Sequence, residues 1–104
     1  MAVIQWTNRA LSDLEDIGNY IEKDSVKYAS ITLKGIFSSA MLLKDFPDLG
    51  RIVPEFSNPI IKELIHGKYR IVYKKNSSDK IEIITVHHSA RQLNHIKEYY
   101  PPVP

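Results

Sequence analysis

The chain of 104 residues is 43% hydrophobic and 25% charged with a formal net charge of +2, values that fit one globular domain and exclude a disordered chain. It contains no cysteine, which excludes disulfides and thiolate metal sites and makes the cytoplasm the expected location. Its apolar runs are too short for a secretory signal or a membrane-spanning helix, so no membrane association is expected.

The first half of the chain predicts a strand followed by two helices. Residues 3–6 are a short run of strand formers. From residue 9 onward, apolar side chains recur at spacings of three and four, which predicts an amphipathic helix. Asp13 and other acidic residues occupy the remaining positions, so the outer face of this helix is expected to be acidic and exposed to solvent. A second helical pattern begins at Asp24-Ser25 and ends at Pro47. The two helices are expected to form an antiparallel hairpin.

Gly35 lies in the middle of the second helical pattern, where glycine is unfavourable. This predicts a close helix-to-helix or helix-to-sheet contact at that position. Residues 46–59 contain three prolines and one glycine, which predict a long irregular connection. Such a connection usually carries function or covers a sheet edge.

The second half predicts an antiparallel meander of three strands at residues 60–65, 69–73 and 81–88, the third apolar in both alternating phases as in a central strand. The fold class is therefore α+β in the order β-α-α-β-β-β: a short N-terminal strand and an antiparallel two-helix hairpin packed on one face of a small twisted antiparallel sheet. The other face is expected to be free for binding. Residues 1–98 are assigned to this single domain and 99–104 to an extended proline-rich tail.

Positive charge is concentrated in the second half. Residues 61–104 contain eight lysines and arginines against four acidic residues, together with all four histidines. The small net charge therefore conceals a polarised molecule that suits an anionic partner.

The adjacent residues His87 and His88 are expected to point to opposite faces of the last strand. We interpret His87 as the exposed residue and His88 as part of the core. Arg91 follows the strand and could return a guanidinium to the same site, with a solvated surface arginine as the alternative. Neighbouring histidines on one strand do not give two metal ligands, so neither a metal nor another cofactor is expected.

On the neighbouring strand Arg70 and Lys74 share one face while Tyr69 and Tyr73 share the other. A row of cations beside aromatic rings suits a nucleic-acid surface, whereas ordinary strand patterning would place the tyrosines in the core. Glu63 could act as a base, but it is more simply explained as a partner of Arg70 or Lys62 across the hairpin.

An ordered set of residues resembles the RelE/ParE superfamily of bacterial toxins, which includes plasmid stabilisation proteins, over about residues 3–93. The set comprises Trp6, Ala10, Leu14, Ile17, Tyr20-Ile21, Pro47, Gly50-Arg51, Pro54-Glu55, Glu63, Tyr69-Arg70-Ile71, Tyr73, Val86-His87 and Arg91. The resemblance implies a toxin of a type II toxin–antitoxin module, held inactive in a hetero-oligomer with its cognate antitoxin. It also implies a target, either DNA gyrase or the ribosome with its messenger RNA.

For messenger RNA cleavage, the resemblance gives Arg51, Arg70, His87 and Arg91 as metal-independent catalytic candidates. Contacts with the target or the antitoxin are expected from Glu55, Glu63, Tyr73 and Lys74, and either glutamate could serve as an auxiliary base in a nuclease. The endonucleases of the superfamily place an aromatic residue soon after the last strand, whereas this chain has Ser89, Ala90, Gln92 and Leu93 there. The sequence therefore favours a gyrase-directed binding toxin over a ribosome-dependent endonuclease, with a non-toxic interaction or nucleic-acid-binding domain as a third hypothesis.

Overall fold

The computed structural model describes residues 2–77 and 79–89. Its elements are β1 (Val3–Trp6), α1 (Asn8–Glu22), α2 (Val26–Met41), a 3-10 turn (Leu42–Lys44), β2 (Arg51–Ile52), β3 (Ile61–His66), β4 (Tyr69–Ser77) and β5 (Lys80–His88). The α+β architecture is confirmed, and the connection expected to be irregular contains the short strand β2. Arg91, the end of the assigned domain and the proline-rich tail lie outside the described residues.

The five strands form one sheet in the order β1-β5-β4-β3-β2. β1 pairs in parallel with β5, so that Val3 lies opposite Lys80 and Trp6 opposite Ile83. The other pairs are antiparallel. The sheet is therefore mixed rather than wholly antiparallel, because the two helices return the chain so that its first and last described strands run in the same direction. The central position predicted for the last strand is confirmed.

Both helices begin at side-chain caps. Thr7 precedes α1 and its hydroxyl accepts from the backbone N–H of Ala10 at 3.0 Å, and Ser25 caps α2 in the same way through Tyr28. The helices pack on one face of the sheet, where the buried side chains include Ile36, Ala40, Leu43, Ile71, Tyr73, Ile81, Ile83 and Val86. No helix among the described residues is long and apolar enough to cross a membrane.

Gly35 confirms the predicted helix-to-sheet contact. A methyl group at this position would lie only 2.8 Å from Cε1 of His66, the last residue of β3. The same imidazole is held by Ser39, whose hydroxyl lies 2.9 Å from its Nδ1. Glycine therefore lets α2 approach β3 closely.

The face of the sheet away from the helices is covered, which corrects the expectation that it is free for binding. Val53 and Phe56 are fully buried there against Ile61, Val72 and Ile84. The segment of residues 51–60 folds back over this face because its apolar side chains, like those of the strands, are removed from water by doing so. We call residues 51–60 the covering segment.

Candidate functional site

The strand register brings the predicted polar residues together under and beside the covering segment. Arg70 lies opposite His87 on β5, and Glu63 lies opposite Arg51 on β2. Arg70 also alternates with Ile71, which belongs to the helix-side core, so it points to the opposite face. Paired residues on antiparallel strands share a face. Three of the four catalytic candidates therefore meet in one region, while Arg91 lies outside the described residues.

Two arginines and two glutamates form a connected charge cluster, which we define as Arg51, Glu55, Glu63 and Arg70. Arg70 donates from Nε to Glu63 at 2.6 Å and from Nη1 and Nη2 to the two oxygens of Glu55, each at 2.8 Å. Arg51 donates from Nε to the second oxygen of Glu63 at 2.8 Å. The forked contact between Arg70 and Glu55 is the geometry in which arginine binds a carboxylate most strongly. It fastens the covering segment to β4.

The pairing of Glu63 with Arg70 confirms one of the two partners that the sequence suggests. The other candidate, Lys62, lies on the neighbouring position of β3 and instead contacts Asp48 at 3.3 Å. Glu63 therefore serves as the shared anion between two arginines rather than as a free base.

The inner part of the charge cluster is shielded from water. Glu63 is 1% exposed and Arg70 is 6% exposed, whereas the Arg51 side chain is 65% exposed. The hydrogen bonds to Glu55, followed by those to Glu63, raise the pKa of Arg70 above its ordinary value although burial opposes this shift. Arg70 therefore stays charged, and its charge is matched by carboxylates from two different elements.

The two histidines point to opposite faces, as predicted, but their exposure is the reverse of the prediction. His87 is 4% exposed opposite Arg70, whereas His88 is exposed and its ring lies nearly perpendicular to that of Tyr69, with a centroid distance of 5.8 Å. The prediction fails because the face that carries His87 is not open to solvent. His87 thus lies in an interior position, unlike an exposed catalytic histidine.

Tyr73 requires a second correction, because it is fully buried and does not offer a surface to a partner. Its hydroxyl accepts from the N–H of Gly50 at 2.9 Å and donates to the carbonyl of Pro47 at 3.1 Å. Burial raises the pKa of this phenol. The buried Glu63 is corrected in the same way: both residues hold the connection before β3 in place. Lys74 remains half-buried beside Glu82 of β5, and Glu55 is largely covered by its contact with Arg70.

Asp13 corrects a further prediction, because the helical pattern of the sequence places it on the solvent face of α1, whereas its side chain contacts β5. Its carboxylate accepts from the hydroxyl of Thr85 and from the backbone N–H of Val86, the latter at 3.0 Å. This contact gives a backbone N–H of β5 a hydrogen-bond partner just beyond Ile83, where the pairing of β5 with β1 ends. Its helical spacing could have indicated this position, because Asp13 lies three residues after Ala10, which is buried, and residues three apart share a helix face.

The described residues contain no group of three or more side chains that could hold a metal ion. Their strongest polar arrangement is the charge cluster, whose inner members bind each other. It can anchor a loop and present one exposed guanidinium, that of Arg51, at the sheet edge.

Comparisons with known proteins identify the family. Residues 4–93 match the family model described as "ParE toxin of type II toxin-antitoxin system, parDE". The chain is 34% identical over 89 residues to "Putative toxin Y4kP" of Sinorhizobium fredii (strain NBRC 101917 / NGR234), covering 86% of this chain and 90% of that protein. A solved structure of the "Chromosomal ParDE TA system from P. aeruginosa" shares the fold with a TM-score of 0.70 and 19% identity, over 85% of this chain and 96% of that one.

The match to the family model spans most of the chain, and the relative from Sinorhizobium agrees with it. Membership of this toxin–antitoxin family implies that the chain has an antitoxin as its partner. The chain therefore belongs to the ParE toxin family of type II toxin–antitoxin systems.

Proposed function

We propose that this toxin acts by binding DNA gyrase, that it cleaves no nucleic acid itself, and that its cognate antitoxin neutralises it in a hetero-oligomer. The observation that carries the proposal is the state of Arg70. The cation best placed to hold a phosphate at this site is buried and is already bound by Glu55 and Glu63.

Cleavage of RNA by its own 2′-hydroxyl requires a base, an acid and a cation around one phosphate. A phosphate reaching Nη1 and Nη2 of the buried Arg70 would have to displace the carboxylate of Glu55, which occupies both nitrogens. Breaking a buried ion pair costs about 3–5 kcal/mol. His87 is also covered. These features support a binding toxin over a nuclease.

The surface that we assign to gyrase lies at the β2 edge of the sheet. Near Arg51 in the chain, Leu49 and Ile52 have exposed apolar side chains, and so does Ile60 at the end of the covering segment. Because Glu63 fixes the Nε of Arg51, this guanidinium is oriented before any partner arrives. Arginine is one of the residue types enriched in protein-binding hot spots, and this one is oriented and exposed.

The proposal is tested with the purified full chain in a gyrase supercoiling assay and, in parallel, with ribosomes translating a messenger RNA. We expect supercoiling to be inhibited and the messenger RNA to remain intact, and addition of the antitoxin to restore supercoiling. Arg51→Ala and Ile52→Glu should each weaken inhibition at least about tenfold, the loss of one hot-spot contact. Arg9→Ala, a change at an exposed arginine on α1, is the matched control and should have no effect.

Two results would overturn the proposal. Cleavage of messenger RNA with normal supercoiling would establish the ribosome-dependent endonuclease instead. Normal supercoiling, intact messenger RNA and harmless expression without antitoxin would establish a non-toxic interaction domain.

A further inference from the structure

The helical hairpin carries an apolar groove, on the opposite side of the sheet from the charge cluster. This groove has a volume of about 520 Å³ and runs between α1 and α2; its lining residues are Leu14, Glu15, Leu33, Lys34, Phe37 and Ser38. Phe37 is 50% exposed, and Leu11, one turn before Glu15, is 51% exposed. We call this surface the hairpin groove. Exposed apolar surface of this kind at the outer side of a fold marks an interaction site.

The two sides of the hairpin groove carry opposite charges. On α1 the exposed charged residues after Arg9 are all acidic, namely Glu15, Asp16 and Glu22. On α2 the charged residues are Lys27 and Lys34, and this helix has no acidic residue. Glu15 and Lys34 both line the groove, one on each side. The groove therefore has an acidic rim, an apolar floor and a basic rim.

A surface of this composition complements itself. If a second copy is turned over by a two-fold axis parallel to the groove, α1 of each copy faces α2 of the other, and Glu15 of one copy meets Lys34 of its partner twice. An axis perpendicular to the groove would instead place α1 on α1 and repel the acidic residues. We propose that the hairpin groove is occupied by a second copy of this chain, with the two-fold axis running along the groove.

Charge complementarity favours this occupant over the alternatives. A nucleic acid would be repelled by the acidic rim on α1. A single helix from another protein would need a basic flank on one side and an acidic flank on the other, whereas the two-fold axis of a second copy supplies both flanks from the same two residues, Glu15 and Lys34.

The size of the groove limits the strength of the dimer. Helices of 15 and 16 residues are each about 23 Å long. Two such helices side by side, each about 10 Å wide, present roughly 450 Å² per copy, below the usual ~800 Å² of a stable complex. We therefore expect a reversible dimer with a dissociation constant in the micromolar range. This inference is independent of the gyrase proposal, because it concerns a different face and needs no toxin activity.

The test uses sedimentation equilibrium of the full chain and of two charge-reversal variants. In a dimer of Glu15→Lys the new lysine would face Lys34 of the partner, and in a dimer of Lys34→Glu the new glutamate would face Glu15 of the partner, so each variant alone should be monomeric. Mixed in equal amounts, the two should form a heterodimer, because lysines at positions 15 and 34 of one copy then face glutamates at positions 34 and 15 of the other. Both side chains are exposed, and circular dichroism checks that the variants fold. Lys80→Glu reverses an exposed lysine at the start of β5 and should leave the dimer unchanged.

A second readout comes from Trp6, the only tryptophan of the chain. Its ring stacks on Phe37 with a centroid distance of 6.0 Å and an interplanar angle of 10°. Covering Phe37 in the dimer should shift the Trp6 emission with concentration in the wild type and in the mixture, but in neither variant alone.

Three outcomes would overturn the proposal. The first is a wild-type chain that stays monomeric up to roughly 100 µM, well above the micromolar range expected for a small interface. The second is a dimer that persists in both single variants, which would place the interface elsewhere. The third is a mixture of the two variants that remains monomeric.

Discussion

Removing the guanidinium of Arg70 tests the role of the charge cluster most directly. Arg70→Met keeps much of the side-chain volume but takes away both contacts to Glu55 and the contact to Glu63. Breaking a buried ion pair typically costs about 3–5 kcal/mol. We expect a loss near 3 kcal/mol in the free energy of unfolding, the lower end of that range, because Arg51 still neutralises Glu63 and the partly exposed Glu55 can turn toward water.

The loss should be measured by urea denaturation followed by circular dichroism, with thermal unfolding in parallel. At about 4–8 °C for each kcal/mol in a domain of this size, the melting temperature should fall by roughly 12–24 °C. Arg9→Met is the matched control, because the side chain of Arg9 is half-exposed and its Nε lies 3.4 Å from the carboxylate of Asp13, a long contact for an ion pair. Such surface pairs contribute about 0–1 kcal/mol.

The double variant with Glu63→Met separates two explanations of that loss. If the destabilisation comes from a buried carboxylate left with too little positive charge, replacing Glu63 as well should recover part of the stability. A loss below about 1 kcal/mol in Arg70→Met, or a loss equal to that of Arg9→Met, would show that the charge cluster does not fasten the covering segment and would refute this reasoning.

Three other predictions concern polar and glycine positions away from Arg70. Gly50→Ala should lower the free energy of unfolding by about 1–3 kcal/mol, because the added methyl group would lie 2.7 Å from the Tyr73 ring. Gly67→Asn is its control: Gly67 has a φ of +57° and open space around it, so this change should be nearly neutral in the same urea titration. Because burial raises the pKa of Tyr73 above its ordinary 10.0, the unfolded chain loses this proton first, so stability should be intact below about pH 10 and fall above it. Tyr73→Phe should make that fall shallower, and an unchanged slope between pH 8 and 11 would contradict the assignment. Asp13→Asn should accelerate amide exchange at Val86; exchange as slow as in the wild type would show that the contact is dispensable.

The helical hairpin was predictable from sequence because its signals are local. Thr7 and the Asp24-Ser25 pair mark where the helices begin, and Gly35 predicts a close contact of α2 with a helix or the sheet, which the structure shows to be with His66 of β3. Each of these signals depends on spacing within a few residues. The pairing of Glu63 with Arg70 was also accessible, since hairpin strands place such residues close together.

The exposure of His87 was not accessible, because it depends on contacts far away in sequence. Strand alternation separates the faces of β5 but does not say which face is covered. The covering segment decides this by burying Val53 and Phe56 against the face that carries His87. A register shift in the β4–β5 pairing at Val72 and Tyr73 adds a second uncertainty, because one extra residue changes the phase of everything beyond it.

The parallel pairing of β1 with β5 determines when the sheet can be completed during synthesis on the ribosome. The first strand finds its neighbour only after residues 80–83 have been synthesised, and the hydroxyl of Thr7 reaches the carbonyl of Ile84 across almost the whole chain. Such long-range pairing makes folding slow and late. The order of translation thus places a delay between the start of synthesis and the first completed toxin, during which the nascent chain has its N-terminal strand but no sheet to join.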